Sequence, residues 1–434
     1  MWAASCRGTE RDAIVDELAE RYVHLALALG QRDPDYIDAY HGPAAWRTRA
    51  QAERHSPESI QSRGEEIIAA IGKRVSDEGV SARLRALERQ VRALVFRARF
   101  LGGKRGAFDE EMAALFDVVV PRRTERELEP AVARVDKLLP GREPLATRYG
   151  VWLESFTVAP ERVPTVFDAA LGICRERTLA SVRLPQPETL SVEFVPDRAW
   201  NAFTVYQGNF HSRVQVNSTP ALTIDRLLDL ACHEGYPGHH TISVLADEAL
   251  ARGRGWVEFT IEPLYGPRAF LMEGAANLGP DLALPAEERL RLEQDRLFPL
   301  AGLDPTRAAE LAPMRDAVNA LAPAIVEGIR RYLDGELDAP RFMFWLERYG
   351  LMAEQEGMLK FVNRFRGYAL AYHEGAALVR AHFDASTGRP TDRVARRWEL
   401  FRSLVTSPTV PGDLSSASTG RGVTPAATPP PSDR

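Results

Sequence analysis

The sequence predicts a mainly α-helical protein with one small antiparallel β-sheet. Three observations lead there. Apolar residues recur at helical spacing through roughly the first 185 positions. Strand-like alternation is confined to a short stretch that begins near residue 189. Helical spacing then resumes and runs to about residue 405.

The helical elements announce their own ends. "RDAIVDELAERYVHLALALG" stops at Gly30, and "VSARLRALERQVRALVFRARFLGG" stops at Gly102 and Gly103. "TERELEPAVARVDKLLPG" and "RVPTVFDAALGICRERTLASVRL" continue the pattern. Between the first two, "DPDYIDAYHGPAAW" reads as a packed inter-helix loop. "TLSVEFVPD" alternates like a strand, and "AFTVYQGNFHSRVQVNST" reads as two strands around a Gly208-Asn209 turn. "PALTIDRLLDLACHE" is then a helix with Thr223 as N-cap and Asp225 in its first turn. The expected organisation is a helical region over 1–185, a region carrying the chemistry over 186–407 built as one unit with the first, and a disordered Ser/Thr/Pro-rich tail over 408–434.

Composition narrows the function. The 434 residues are 45% hydrophobic and 26% charged, as in ordinary globular chains that bury a sizeable core. A net charge of -5 calls for neither nucleic acid nor an acidic membrane surface. No stretch approaches the ~20 apolar residues of a membrane span. The N-terminus lacks a basic start followed by an apolar run, so no signal peptide is read, and "AASC" is a poor lipoprotein cleavage site for the same reason. Cys6, Cys174 and Cys232 suggest no disulfide framework. A reducing, cytoplasmic location is the expectation.

The chemistry gathers at "CHEGYPGHH", Cys232 to His240. Histidines that share a metal on a straight helix stand at i and i+4, with a glutamate at i+1 that can take a proton from water. His233 and Glu234 supply the first half, but Pro237 stands where the second histidine belongs. On an unbroken helix His239 would lie about 9 Å and His240 about 10.5 Å along the axis from His233, too far for one ion. Proline removes a helical hydrogen bond and glycine permits unusual dihedrals, so Pro237-Gly238 can break the helix and absorb an insertion. A two-residue loop brings His239 into place, and a three-residue loop brings His240. Glu273 in "RAFLMEGAANLG" is the candidate third ligand, because its apolar neighbours make an unpaired carboxylate costly. Two imidazoles, one carboxylate and an open position suit Zn2+. In "RGYALAYHEGAALVRAHF", read as a helix, Tyr372 and His373 are candidates for stabilising an oxyanion. Cys232 is taken as core, and Arg213 and Asn217 of the hairpin as groups near a substrate strand.

These residues resemble a bacterial family catalogued as domain of unknown function 885, whose motif HExxPGHH is followed some tens of residues later by Glu-Gly-Trp. "HEGYPGHH" matches every fixed position, "MEGAAN" keeps the Glu-Gly, and "GYALAYHEG" is similar to a C-terminal segment of the family. The resemblance covers roughly residues 190 to 385. It implies a fold similar to gluzincin-type metallopeptidases, a zincin-like architecture with a sheet edge beside the zinc helix. It also implies zinc on His233, a second histidine and Glu273, with Glu234 as base. Ala275 replaces the family's tryptophan, and His373 stands where a long polar side chain is expected, so the substrate is expected to differ. The leading expectation is a zinc metallopeptidase acting on a peptide or small amide, with no nucleic-acid or membrane partner. The alternative is a non-proteolytic metal- or ligand-binding module on the same scaffold, serving a biosynthetic pathway. A di-iron carboxylate oxidase wants two Glu-x-x-His pairs, which the sequence lacks.

Overall fold

A computed structural model describes residues 2–78, 81–198, 200–352, 355–386 and 393–419. Helices α1 (Trp2–Gly30) to α8 (Val163–Leu179) occupy the first part, interrupted by strand β1 (Ile37–Tyr40). Strands β2 (Thr189–Val195), β3 (Ala202–Tyr206) and β4 (His211–Asn217) follow, then α9 (Ile224–Glu234) and α10 (His239–Ala246). Strand β5 (Ile261–Pro263) precedes α11 (Pro267–Asn277). The helices α12 (Gly279–Ala283) to α21 (Pro411–Thr419) complete the described chain. The mainly helical class with a small sheet is therefore observed.

Three local expectations change. The small sheet is mixed: its order is β2-β4-β3, with β3 antiparallel and β2 parallel to β4. The β3–β4 turn does sit at Gly208-Asn209, where φ is +78° and +53°. The supposed loop around Asp38 contains β1, which pairs antiparallel with β5, Tyr40 opposite Ile261. A sequence window cannot show a strand whose partner lies more than 200 residues away. Thr223 caps α9 by position only; its hydroxyl accepts no helix N–H and instead donates to the Asp225 Oδ1 side-chain oxygen at 2.6 Å.

Two large apolar clusters hold the molecule, and each mixes residues from before and after position 186. One joins Val163, Phe167 and Ile173 of α8 to Leu227, Leu271 and Phe401. The other joins Val15, Leu94 and Phe116 to Phe270, Ile329 and Tyr368. Phe116 and Phe270 meet at 5.5 Å between ring centroids. A disulfide between Cys174 on α8 and Cys232 on α9 crosses the first cluster, correcting the reading of Cys232 as an unbonded core residue. Such bonds persist in oxidising compartments, so the cysteines do not favour the expected reducing one. Among the described residues no helix is long and apolar enough to cross a membrane.

The expected tail divides at residue 420. Residues 420–434 lie outside the described part, whereas Pro411–Thr419 form α21, with Val410 and Leu414 buried and Asp413 paired to Arg85 at 3.0 Å. A chain ending at Thr406 should therefore melt a few degrees lower than one ending at Thr419, because full burial of an aliphatic side chain is worth up to about 1.5–3 kcal/mol. Thermal unfolding of the two truncations, followed by circular dichroism, measures this.

Candidate metal centre

Helix α9 is amphipathic and ends on His233 and Glu234, both buried. Gly235, at φ -99° and ψ -95°, takes the chain out of the helix, and the Tyr236–Pro237 peptide is cis. The Gly238 N–H donates to the Cys232 carbonyl at 2.9 Å, and the Gly238 carbonyl accepts from Ile242 at 2.9 Å as α10 starts. Only glycine fits at 238, since a Cβ there would lie 1.7 Å from the His233 carbonyl oxygen. The break brings His239 Nε2 to 3.1 Å from His233 Nε2.

His240 turns the other way, as adjacent residues on a helix must. It is fully buried, its Nε2 donating to Glu188 Oε2 at 3.0 Å and its Nδ1 accepting from Ser212 Oγ at 2.8 Å. Glu188 also accepts from Tyr236 at 2.7 Å and Arg175 at 2.6 Å. Burial pushes the Glu188 carboxyl up, but these donors outweigh it and hold it down at about 2. Both ring nitrogens of His240 are thus committed to anchoring the turn against β4.

Glu273 comes from α11. Its Oε2 lies 3.5 Å from His233 Nε2 and its Oε1 lies 3.5 Å from His239 Nε2. Oε1 also accepts from the Tyr368 hydroxyl at 2.6 Å. Among the described residues Oε2 is buried without a hydrogen-bond partner, as is His233 Nδ1. Burial alone would raise the Glu273 carboxyl, yet His239, His233 and Tyr368 hold it down at about 2. His239 is pushed up, because Glu273, Glu234 and Glu262 outweigh its burial. Burial and the His239 charge push His233 down. Glu234 accepts from Thr204 Oγ1 of β3 through Oε2 at 2.7 Å, while its Oε1 stands 3.9 Å from His233 Nε2. Burial raises the Glu234 carboxyl despite these partners.

The donors fit one small ion. His233, Glu234 and His239 offer ligand atoms all within 4.8 Å of one another. A tetrahedral site with bonds of 2.0–2.2 Å sets its ligand atoms roughly 3.3–3.5 Å apart. The separations here are 3.1 Å between the imidazoles and 3.5 Å from each imidazole to Glu273. The partnerless Oε2 is the atom such an ion would satisfy.

A cavity of about 700 Å³ opens onto His233 and Glu234. Tyr372 and His373 both line it, the Tyr372 ring stacked 6.2 Å from that of His233. Burial, reinforced by Arg226, lowers His373 to about 4. The segment expected as plain helix is a 3-10 turn, Arg366–Leu370, followed by a π-helical turn, Ala371–Gly375. Arg213 and Asn217 are not among the cavity's described lining; Asn217 instead donates to the Arg198 and Trp200 carbonyls. Sequence reasoning missed Tyr368, Thr204, Arg226 and Asn277, whose Nδ2 donates to the Tyr372 carbonyl at 2.8 Å. Tyr368 sits four residues before Tyr372 and Asn277 four after Glu273, so helical spacing was an available signal.

No protein-family model matches the chain, and no curated protein matches it. The family resemblance therefore rests on the motif residues. Solved structures of similar shape include the putative lipoprotein from Colwellia psychrerythraea, with 14% identity, a TM-score of 0.51, and 86% of this chain and 71% of that one covered. A carboxypeptidase from Pyrococcus furiosus aligns at 14% identity and a TM-score of 0.49 over 95% of each chain. A family M32 carboxypeptidase from Deinococcus radiodurans aligns at 15% and 0.39 over 94% of each. The likeness to the first shows a common fold, at an identity too low to carry chemistry across.

Glycine shapes the far wall as well. A Cβ on Gly274 would lie 2.3 Å from the Gly375 carbonyl, so α11 and the π-helical turn touch backbone to backbone. Gly274→Ala should destabilise the protein by about 1–3 kcal/mol or more, since backbone yields less readily than a side chain. Urea unfolding of the variant beside the parent measures it.

Proposed function

We propose that the chain is a zinc-dependent hydrolase of the metallopeptidase type, cleaving an amide bond in a peptide or small amide. The observation that carries this is the set of three donor separations around His233, His239 and Glu273, each close to the spacing a tetrahedral ion demands. In this reading those three residues hold the metal. A bound zinc ion supplies a Lewis acid that makes water easier to deprotonate and a carbonyl easier to attack.

The remaining steps belong to the protein's own groups. Thr204 occupies Glu234 Oε2, which leaves Oε1 facing the cluster as the proton acceptor. The raised affinity of Glu234 for protons suits a base that accepts one from the attacking water and hands it to the departing amine. Tyr372 lines the cavity, and in this reading its hydroxyl donates to the oxyanion. Tyr368 is not available for that task, because its hydroxyl orients Glu273. The position of Glu234 favours hydrolysis over a module that only holds a metal, since holding one requires no buried base turned toward the cavity.

Elemental analysis after zinc reconstitution should find one zinc per chain. Glu234→Gln should keep the metal and lower turnover of a peptide library at least ~100-fold. His239→Ala should lose most zinc and the stabilisation that binding gives by mass action. His240→Ala should keep zinc but melt lower, as it strips a fully buried polar network. Zinc retained by His239→Ala and lost by His240→Ala would overturn the ligand assignment. Tyr368→Phe should weaken zinc ~10–100-fold in chelator competition, the usual cost of losing a group that orients a ligand.

A further inference from the structure

The cavity beside the cluster is lined by four arginines. Three of them are claimed. Arg289 pairs with Asp229 and Glu293, each at 2.8 Å, Arg315 approaches Glu293 at 3.7 Å, and Arg380 pairs with Asp281 at 2.7 Å. The Arg226 side chain makes no hydrogen bond and no ion pair among the described residues.

Its position gives the free guanidinium a purpose. Arg226 stands seven residues before His233 and eight before Glu234 on α9, two turns along the same stripe of the helix and about 10.5 Å along its axis. That span is at most about three extended substrate residues at ~3.3–3.6 Å each, and one or two where the flexible arginine side chain swings toward the cluster. The same cavity also presents apolar side chains, among them Trp200, Pro323, Met358 and Phe361. The field of Arg226 is felt inside, where it adds to burial in lowering His373. Glu374, a lining acid without an ion-pair partner among the described residues, answers to Arg123 and Arg330 instead. Arg226 is exposed at the cavity, so its unpaired guanidinium is open to an incoming ligand.

Building on the metallopeptidase reading above, we infer that Arg226 is a specificity-determining residue that binds a carboxylate of the substrate, one or two residues from the bond that is cut. A guanidinium offers two parallel donors to a carboxylate, the strongest neutralising contact available to a side chain. The carboxylate can belong to a peptide C-terminus or to an acidic side chain, and one experiment separates the two.

The zinc-loaded Glu234→Gln protein is titrated calorimetrically with N-acetyl-Phe-Ala, N-acetyl-Phe-Ala-amide and N-acetyl-Phe-Asp-amide. The expected result is that one or both carboxylate-bearing probes bind ~10-fold or more tightly than the neutral amide, as a charged hydrogen bond predicts. Preference for the first probe marks a C-terminal carboxylate, and preference for the third marks an acidic side chain. Adding Arg226→Gln should erase the preference at unchanged zinc content and melting temperature, and Arg226→Lys should restore part of it. Equal binding of all three probes, or a preference that survives Arg226→Gln, overturns the inference. Failure of the hydrolase reading would look different: Arg226-dependent binding would persist while the unsubstituted enzyme left every probe intact.

Discussion

A histidine at the end of one helix can meet a histidine at the start of the next only if the chain reverses within a few residues, and here that reversal is a backbone contact with no room for a side chain. Gly238 packs its Cα against the His233 carbonyl, and its N–H is bonded to Cys232. From this contact the rest of the centre follows. It sets the two imidazole nitrogens 3.1 Å apart, starts α10, and aims His240 at the sheet instead of the cavity. The buried Glu188 behind it, with donors from His240, Tyr236 and Arg175, fixes the turn from the outside. One sharp bend thus has a chemical face and a structural face, with a histidine on each.

The opposite wall obeys the same logic of close approach. Gly274 and Gly375 bring α11 against the π-helical turn, which places Glu273, Tyr368 and Tyr372 around one point. Two carboxylates and two imidazoles then share a largely buried space. Burial by itself would push both carboxyls up; the imidazoles and the tyrosine overcome it at Glu273 but not at Glu234. That divergence gives one cluster two carboxyls of opposite proton affinity. Three consecutive residues of the π-helical turn, Tyr372, His373 and Glu374, line the cavity, in a form often found at functional sites.

Around the centre the fold is tied by contacts distant in sequence. The disulfide joins α8 to the residue just before His233, and β1 reaches across more than 200 positions to β5. Strand β3, at the edge of the small sheet, delivers Thr204 to Glu234. The helical first part is not an appendage, because both apolar clusters draw on it.

The sequence by itself determined whatever depends on near neighbours. Helical periodicity, the Gly208-Asn209 turn and the adjacency of His233 and Glu234 follow from spacing along one chain, and so does the break at Pro237-Gly238, because proline and glycine act on their own backbone. What it left open depended on distance. The choice between His239 and His240 rests on how many residues the break absorbs and on whether Glu188 and Ser212 stand behind it. The parallel pairing of β2, the strand near Asp38, the disulfide, the helix around Leu414 and the grip of Tyr368 on Glu273 each need a partner brought in by packing. Spacing reports which side chains share a face; only the packed chain decides what that face meets.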